Sequence, residues 1–326
     1  MKHNVILGTG SAAPANVVTN FDLEKIMDTS DEWIVQRTGI KSRHISEPGE
    51  KFSDFAVAAS QTALERARVE AADLDLIIAG TMTPDYLMPS GACSVQARLG
   101  AGKATGMDVC AACSGFIYGL SIAEKYLKCD PDLHILVIGG EIVSQHLDWD
   151  DRATAVLFGD GVGAAIVGAR ENSGHKLLAV ETGSNGDLGG LLYIPGGGSA
   201  APFVKDFDIR ENYIKMKGRE IFKHAIKNMV EVSQRALKKA GKGLDQVTKV
   251  IPHQANIRII EMLAKQFHKP MDEVFVNIDR YGNTSAGTIP IAFNEAVEAE
   301  FLQPGDIVLM TVFGGGLTWA AAVLEW

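Results

Sequence analysis

Cys113 is one of four cysteines in the chain, with Cys93, Cys110 and Cys129, and its setting suits nucleophilic chemistry best. It follows a strand-like MDV (107–109) and precedes the helical pattern SGFIYGLSIAEKYL (114–127). A cysteine at a helix start meets unpaired N–H groups and the positive end of the helix dipole. Both favour the thiolate, so a lowered thiol pKa is expected. Small neighbours (Ala111, Ala112, Ser114 and Gly115) leave room for a substrate. The ordinary alternative is a buried structural cysteine. Cys110 and Cys113 also form a C-x-x-C spacing, which a redox pair or half a zinc site would use. There is no second C-x-x-C and no adjacent histidine, and Cys110 falls in the strand-like segment, where a core position is expected.

Two further segments carry polar groups at places where α/β folds gather ligands. In VIPHQANIRII (250–260), His253 follows an apolar strand and precedes an amphipathic helix, with Gln254 and Asn256 beside it. The C-terminal ends of buried strands are where such folds bind ligands. In YGNTSAG (281–287), Asn283 lies at a strand-to-helix turn, a place where asparagine also serves as a plain cap. The glycine-rich FGGGLTW (313–319) is too short for a phosphate loop, lacks the Lys-Ser/Thr ending and runs into a strand. It is better suited to aiming a backbone N–H at an oxyanion.

These residues need a scaffold that brings them together, and the pattern supplies one. VILGTG (5–10), LDLIIAG (74–80), ILVIGGE (135–141) and GAAIVGA (163–169) read as buried strands, too short and too glycine-bounded for helices. DFAVAASQTALERA (54–67) reads as a helix, and helical pattern also runs through 211–240. The plan then repeats. ALERARVEAADLDLII (63–78) matches ALKKAGKGLDQVTKVI (236–251), MDVCAACSG (107–115) matches VNIDRYGNTSAG (276–287), and FGDGVGAAIV (158–167) matches FGGGLTWAAAV (313–323). Three pairs in one order imply a duplicated α/β unit of about 160–170 residues. Halves of 1–172 and 173–326 follow, and packing about a pseudo-twofold would turn Cys113 and Asn283 to one crevice, with His253 reaching it from a neighbouring strand. GGLLYIPGGGSAAP (189–202) reads as a surface loop or flap.

Composition narrows the function classes. The 326 residues are 46% hydrophobic and 22% charged, enough to bury a large core without disulfides or metal. A net charge of -9 disfavours nonspecific nucleic-acid binding. No apolar run approaches the length of a membrane span, and the start resembles no signal peptide, so a cytoplasmic protein is expected. Four cysteines in a chain of this size fit a reducing compartment.

TSDEWIVQRTGI (29–40), DVCAACSGF (108–116), FGDGVGAA (158–165), PHQAN (252–256), GNTSAG (282–287) and FGGGLTW (313–319) resemble, in order, the signature segments of the β-ketoacyl-acyl-carrier-protein synthase III family. The resemblance implies a thiolase-like fold of two pseudo-symmetric α/β halves in five layers (αβαβα), a homodimer, and a catalytic triad of Cys113, His253 and Asn283. It implies acylation of Cys113 by an acyl-CoA, then decarboxylative condensation with a malonyl thioester on acyl carrier protein, initiating fatty acid biosynthesis. The oxyanion would be held by the N–H groups of Cys113 and Gly315. Trp33 and Arg37 would sandwich the CoA adenine, with Thr29, Arg152, Phe222 and Asn256 as further CoA contacts. Lys223, Gln254, Arg258 and Lys265 would dock the carrier protein. Met88 stands where the family closes the acyl pocket with a bulky residue from the partner subunit, which leaves acetyl, branched and longer primers open. No metal or redox cofactor is implied.

Three rivals remain at this point. A condensing enzyme or acyltransferase of secondary metabolism would keep the fold. A papain-like hydrolase shares the Cys, His, Asn order but places its cysteine in C-G-S-C-W, absent here. A non-catalytic binding module leaves three chemically apt residues at matched strand ends without a use.

Overall fold

The structure is a computed structural model that describes residues 2–171, 174–204 and 206–326. The expected boundary between 172 and 173 lies outside the described residues.

Apolar runs that alternate with amphipathic helices build two sheets. The first contains β1 (His3–Ala12), β2 (Leu76–Gly80), β3 (Thr105–Val109), β4 (Ile135–Glu141) and β5 (Gly161–Arg170) in the order β1-β5-β4-β2-β3. The second contains β6 (Lys176–Ser184), β7 (Lys249–Pro252), β8 (Ile307–Gly314) and β9 (Thr318–Glu325) in the order β6-β9-β8-β7. From β1 inward the pairings run antiparallel, antiparallel, parallel, parallel. From β6 inward they run antiparallel, antiparallel, parallel. The fifth strand of the second sheet is reduced to a parallel bridge between Val250 and Val274. The duplication read from the sequence is therefore a repeat of sheet topology.

The helices include α1 (Asp31–Thr38), α2 (Phe52–Ala67), α3 (Gly91–Leu99), α4 (Gly115–Cys129), α5 (Gly218–Lys239), α6 (Ile257–Gln266) and α7 (Thr288–Glu298). Helices α2 and α3 cover the outer face of the first sheet, and α5 covers the outer face of the second with α6 beside it. Helices α4 and α7 lie between the sheets, where Phe116, Ile117 and Leu120 meet Ile289, Phe293, Met310 and Val312 in one apolar cluster. Five layers result. Both central helices are apolar on most sides because each is covered on both faces, which is what a buried helix requires.

Two expectations need adjusting. The pattern over 211–240 becomes a helix only at Gly218, since Lys215–Met216 pairs as a short strand with Leu192–Tyr193. That pairing, with buried Leu191, anchors the start of the 189–202 loop. Cys110 is exposed rather than in the core, because β3 is an edge strand and most of its residues are only half-buried. Among the described residues no helix is long and apolar enough to cross a membrane, and no cluster of His, Cys, Asp or Glu could hold a metal ion.

Candidate active site

Cys113 sits in a single 3-10 turn, Ala112–Ser114, that leads directly into α4. The turn is entered through Ala112 at φ 45°, a left-handed conformation that costs energy for a residue with a side chain. The turn can lie close to the sheet because Gly80 at the end of β2 has no side chain: a Cβ there would come within 2.4 Å of the Gly115 backbone. On the other side, a Cβ on Gly314 would come within 2.8 Å of the Cys113 nitrogen. The Thr318 hydroxyl ties the β8–β9 hairpin to this turn, lying 2.9 Å from the Ala111 carbonyl, 3.0 Å from the Gly315 carbonyl and 3.1 Å from the Ser114 hydroxyl.

The sulfur is buried, and burial pushes the thiol up to about 11. The buried Glu141 carboxyl adds to that rise, while the Ser285 hydroxyl at 3.4 Å and the N–H groups of Cys113 and Gly315 oppose it. The lowered thiol pKa expected from the helix start is therefore not found in the resting site. Desolvation outweighs the N–H groups gathered around the sulfur. Those same N–H groups are also suited to holding an oxyanion beside the sulfur.

Asn283 stands just before a second 3-10 turn, Ser285–Gly287, which leads into α7 as the Cys113 turn leads into α4. It follows a short helix, Ile278–Tyr281, and a single bridge to Phe158 rather than the strand expected from the sequence. Ser285 enters it at φ 52°, mirroring Ala112. The Asn283 backbone is held by Leu157 and Gly159, and its Oδ1 accepts the Ser285 N–H at 2.9 Å. With Oδ1 engaged, the amide NH2 is what Asn283 can offer a ligand. His253 follows β7, its N–H donating to the Thr311 carbonyl at 2.8 Å. Its Nδ1 is 2.7 Å from the Thr288 hydroxyl. Burial without a charged partner pushes the imidazole down to about 3, so the ring is neutral.

Cys113, His253 and Asn283 line one cavity of about 810 Å³, which extends to Trp33, Arg37, Arg152, Phe222, Lys223, Asn256 and Arg258. Apolar side chains, Leu192, Met229 and Phe313 among them, make up part of its lining. Trp33 is positioned by the start of α1, where the Ser30 hydroxyl accepts its N–H. The guanidinium groups of Arg37 and Arg152 rest 4.8 Å and 4.7 Å from the Trp33 ring centroid. That leaves no room for a further ring between them, so the expected Trp33–Arg37 sandwich is closed and a guanidinium must swing out to admit a base. Asn256 already uses both ends of its amide, capping α6 through the Arg258 N–H and donating to the Arg37 carbonyl.

The remaining candidates stand outside the cavity lining. Gly315 faces the Cys113 turn, with a Cβ there falling 3.5 Å from the Ala112 side chain. The half-buried Thr29 has a buried hydroxyl without a hydrogen-bond partner. Met88 and Lys265 are exposed on the surface. Gln254 corrects the sequence reading. It is fully buried, donates to the Pro252 and Phe275 carbonyls and accepts from the N–H groups of Asn277 and Ile278. It offers nothing to a docking protein.

The sequence reading missed Glu141, Ser285, Thr288 and Thr318. Glu141 ends the ILVIGGE strand, where a carboxylate after six apolar or glycine residues was the available signal. It is fully buried, accepts from the hydroxyls of Thr81 and Thr83 and the N–H groups of Met82 and Thr83, and is still pushed up to about 7 by burial.

With this geometry established, similarity to known proteins locates the chain. Residues 237–326 match the family model for the C-terminal part of 3-oxoacyl-[acyl-carrier-protein (ACP)] synthase III, and residues 107–186 match the model for 3-oxoacyl-[acyl-carrier-protein (ACP)] synthase III. A β-ketoacyl-[acyl-carrier-protein] synthase III of Caldanaerobacter subterraneus subsp. tengcongensis is 48% identical over 323 residues, 98% of this chain and 97% of that protein. The crystal structure of 3-oxoacyl-[acyl-carrier-protein] synthase III from Aquifex aeolicus VF5 superposes with a TM-score of 0.91 at 47% identity, covering 99% of this chain and 100% of that one. The corresponding structure from Thermus thermophilus gives a TM-score of 0.91 at 43% identity, with 99% of each chain covered. Together with the paired sheets and the cavity joining Cys113, His253 and Asn283, this identity across nearly the whole length places the chain in the 3-oxoacyl-[acyl-carrier-protein] synthase III family.

Proposed function

We propose that the chain carries out the two half-reactions of a β-ketoacyl-[acyl-carrier-protein] synthase III, with Cys113 as acyl carrier. The observation that carries this reading is the single cavity joining Cys113, His253 and Asn283 to the basic and aromatic side chains at its mouth. In the first half-reaction, the Cys113 sulfur attacks the thioester carbonyl of an acyl-CoA, the CoA thiolate leaves, and an acyl-cysteine forms. The N–H groups of Cys113 and Gly315 hold the oxyanion. Trp33, Arg37, Arg152, Phe222, Thr29 and Asn256 contact the CoA end.

In the second half-reaction, a malonyl thioester on acyl carrier protein enters the same cavity. The Asn283 amide and His253 Nε2 donate to its thioester oxygen and stabilise the enolate left when CO2 departs, each such donor supplying about 2.7–4 kcal/mol. The enolate carbon attacks the acyl-cysteine and expels the Cys113 thiolate, giving β-ketoacyl-carrier protein. The thioester carbonyl is itself the electron sink, so the chemistry calls for no metal or redox cofactor. Lys223, Arg258 and Lys265 are exposed cations able to steer an acidic carrier protein to the cavity mouth.

The reading includes a homodimer in a reducing, cytoplasmic setting. Its support is the open edge of β3 and the exposed apolar segment Tyr86, Leu87 and Met88. Pairing β3 with its copy would cover that edge and bring Met88 to the partner's pocket.

The test is incubation with radiolabelled acyl-CoAs of varied chain length, with and without malonyl-acyl-carrier protein. The expected result is an adduct on Cys113, absent in Cys113→Ala, that is converted to a β-ketoacyl product when the malonyl carrier protein is added. An adduct that never extends would mark an acyltransferase of the same fold, and no adduct would remove both.

A further inference from the structure

Three separate contacts meet at one residue that neither the sequence pattern nor the triad assigns. The N–H of Ser285 holds the Asn283 Oδ1 at 2.9 Å. Its hydroxyl lies 3.4 Å from the Cys113 sulfur. Its carbonyl lies 3.1 Å from the Thr288 hydroxyl, which also faces His253 Nδ1 at 2.7 Å. Ser285 is fully buried at φ 52°, so the conformation that serves all three contacts is held against its own strain. Two of the contacts are backbone ones that any residue could make; the third needs the hydroxyl.

We propose that Ser285 is a fourth catalytic group, whose hydroxyl donates a hydrogen bond to the Cys113 sulfur as it becomes the attacking anion. This rests on the acyl-cysteine reading given above. The step balances simply: the thiol loses its proton to solvent, the sulfur gains the Ser285 hydrogen bond, and that bond is released when the lone pair passes to the acyl carbon. The need for such a donor follows from the surroundings. Burial and the Glu141 carboxyl both oppose a negative sulfur. His253 lines the same cavity but is held neutral. The cationic side chains lining it are Arg37, Arg152, Arg219, Lys223 and Arg258, in the part that holds Trp33 and Phe222.

The pseudo-symmetric turn shows that the side chain can be removed. Ala112 occupies the same left-handed position at φ 45°, so alanine is compatible with this turn. The test uses Ser285→Ala, with Ser285→Gly, which accepts a positive φ freely, as a second variant lacking the hydroxyl. Alkylation of Cys113 by iodoacetamide is followed from pH 6 to 10, and it reports the thiol whatever the enzyme's substrate. Both variants are expected to alkylate about tenfold more slowly than the parent across this range, since a hydrogen bond to a charged group carries at least that factor. Acyl transfer from acetyl-CoA should fall by the same factor over the same pH range, because the thiol titrates above it. Decarboxylation of malonyl-acyl-carrier protein, which needs Asn283 and His253 but not the thiolate, should stay within twofold. An unmoved alkylation profile overturns the proposal, as does an equal loss in both half-reactions. Loss of acyl transfer by the parent protein would instead remove the reading on which it rests.

Discussion

His253 Nδ1 lies 2.7 Å from the Thr288 hydroxyl, and that hydroxyl is also within 3.1 Å of the Ser285 carbonyl. One proton therefore decides the tautomer of the histidine. With the hydroxyl donating to Ser285, Nδ1 must carry the ring proton and Nε2 is a lone pair. With the hydroxyl turned to Nδ1, Nε2 carries the proton and becomes a donor. The second arrangement leaves no buried group unpaired, because the Ser285 carbonyl keeps the Thr288 backbone N–H. It gives up one hydrogen bond, about 1 kcal/mol.

Thr288→Val should remove the support for the donor tautomer while keeping the shape of the side chain. Decarboxylation of malonyl-acyl-carrier protein is expected to fall about tenfold, with acyl transfer to Cys113 much less affected. Thr288→Ser restores the hydroxyl and should recover most of the rate. Equal losses in both half-reactions, without recovery in the serine variant, would reduce Thr288 to packing.

The neutrality of His253 fixes a pH dependence. Its folded value is pushed down from 6.5 to about 3, so the ring does not titrate between pH 8 and pH 5. Decarboxylation measured as CO2 release should be flat across that range. Stability behaves differently. The unfolded chain takes up the histidine proton before the folded one, so this residue draws stability down as pH falls from about 6.5 toward 3. An inflection in decarboxylation near 6.5 that disappears in His253→Gln would show that the ring is more solvated than its burial indicates.

Much of this was legible in the chain itself, for a physical reason. Buried strands and helix starts leave periodic and compositional marks, so the strands of the first sheet, the duplication and the helix starts after Cys113 and Asn283 follow from the pattern. The strand Lys176–Ser184 and the short helix Ile278–Tyr281 before Asn283 do not. Net electrostatics do not. The helix start argued for a low thiol pKa at Cys113, but the depth of burial that reverses the sign depends on how two sheets close over it. Gln254 reads as polar and adjacent to His253, and only the packed structure shows its amide consumed by the Pro252–Ile278 region. Ser285 and Thr288 look like ordinary small residues of a helix start until the turn sets their hydroxyls against the sulfur and the imidazole.

Gly314 offers a test of how tightly the β8–β9 hairpin is set against the nucleophile. A Cβ there would lie 2.8 Å from the Cys113 nitrogen and 3.0 Å from its Cβ. Gly314→Ala must displace one side or the other, at about 1–3 kcal/mol of overpacking. Acyl transfer should fall by about a hundredfold, because the Gly315 N–H moves with the hairpin. Thermal unfolding should show a modest loss. Full activity in this variant would mean that the hairpin is not held at the spacing seen here.

Gln254 and the exposed cations should separate stability from partner binding. Removing the Gln254 amide strands the N–H groups of Asn277 and Ile278 in the core, at about 1–3 kcal/mol each. Gln254→Ala should therefore lower the thermal midpoint and reduce the folded fraction, while the protein that remains folded keeps its KM for the carrier protein. Lys223→Glu and Arg258→Glu should do the reverse. Lys223 is exposed, and exposed Arg258 makes one side-chain hydrogen bond, to the Gln36 carbonyl, so unfolding should change little in either variant. KM for malonyl-acyl-carrier protein should rise several-fold, most at low salt, because reversing an exposed charge acts on encounter through a field that salt screens. KM for acetyl-CoA in Lys223→Glu supplies the control, since both residues also line the cavity mouth. If Gln254→Ala raised the carrier-protein KM with stability intact, the buried amide would have to become exposed on docking, and the local packing around β7 would need to open to allow it.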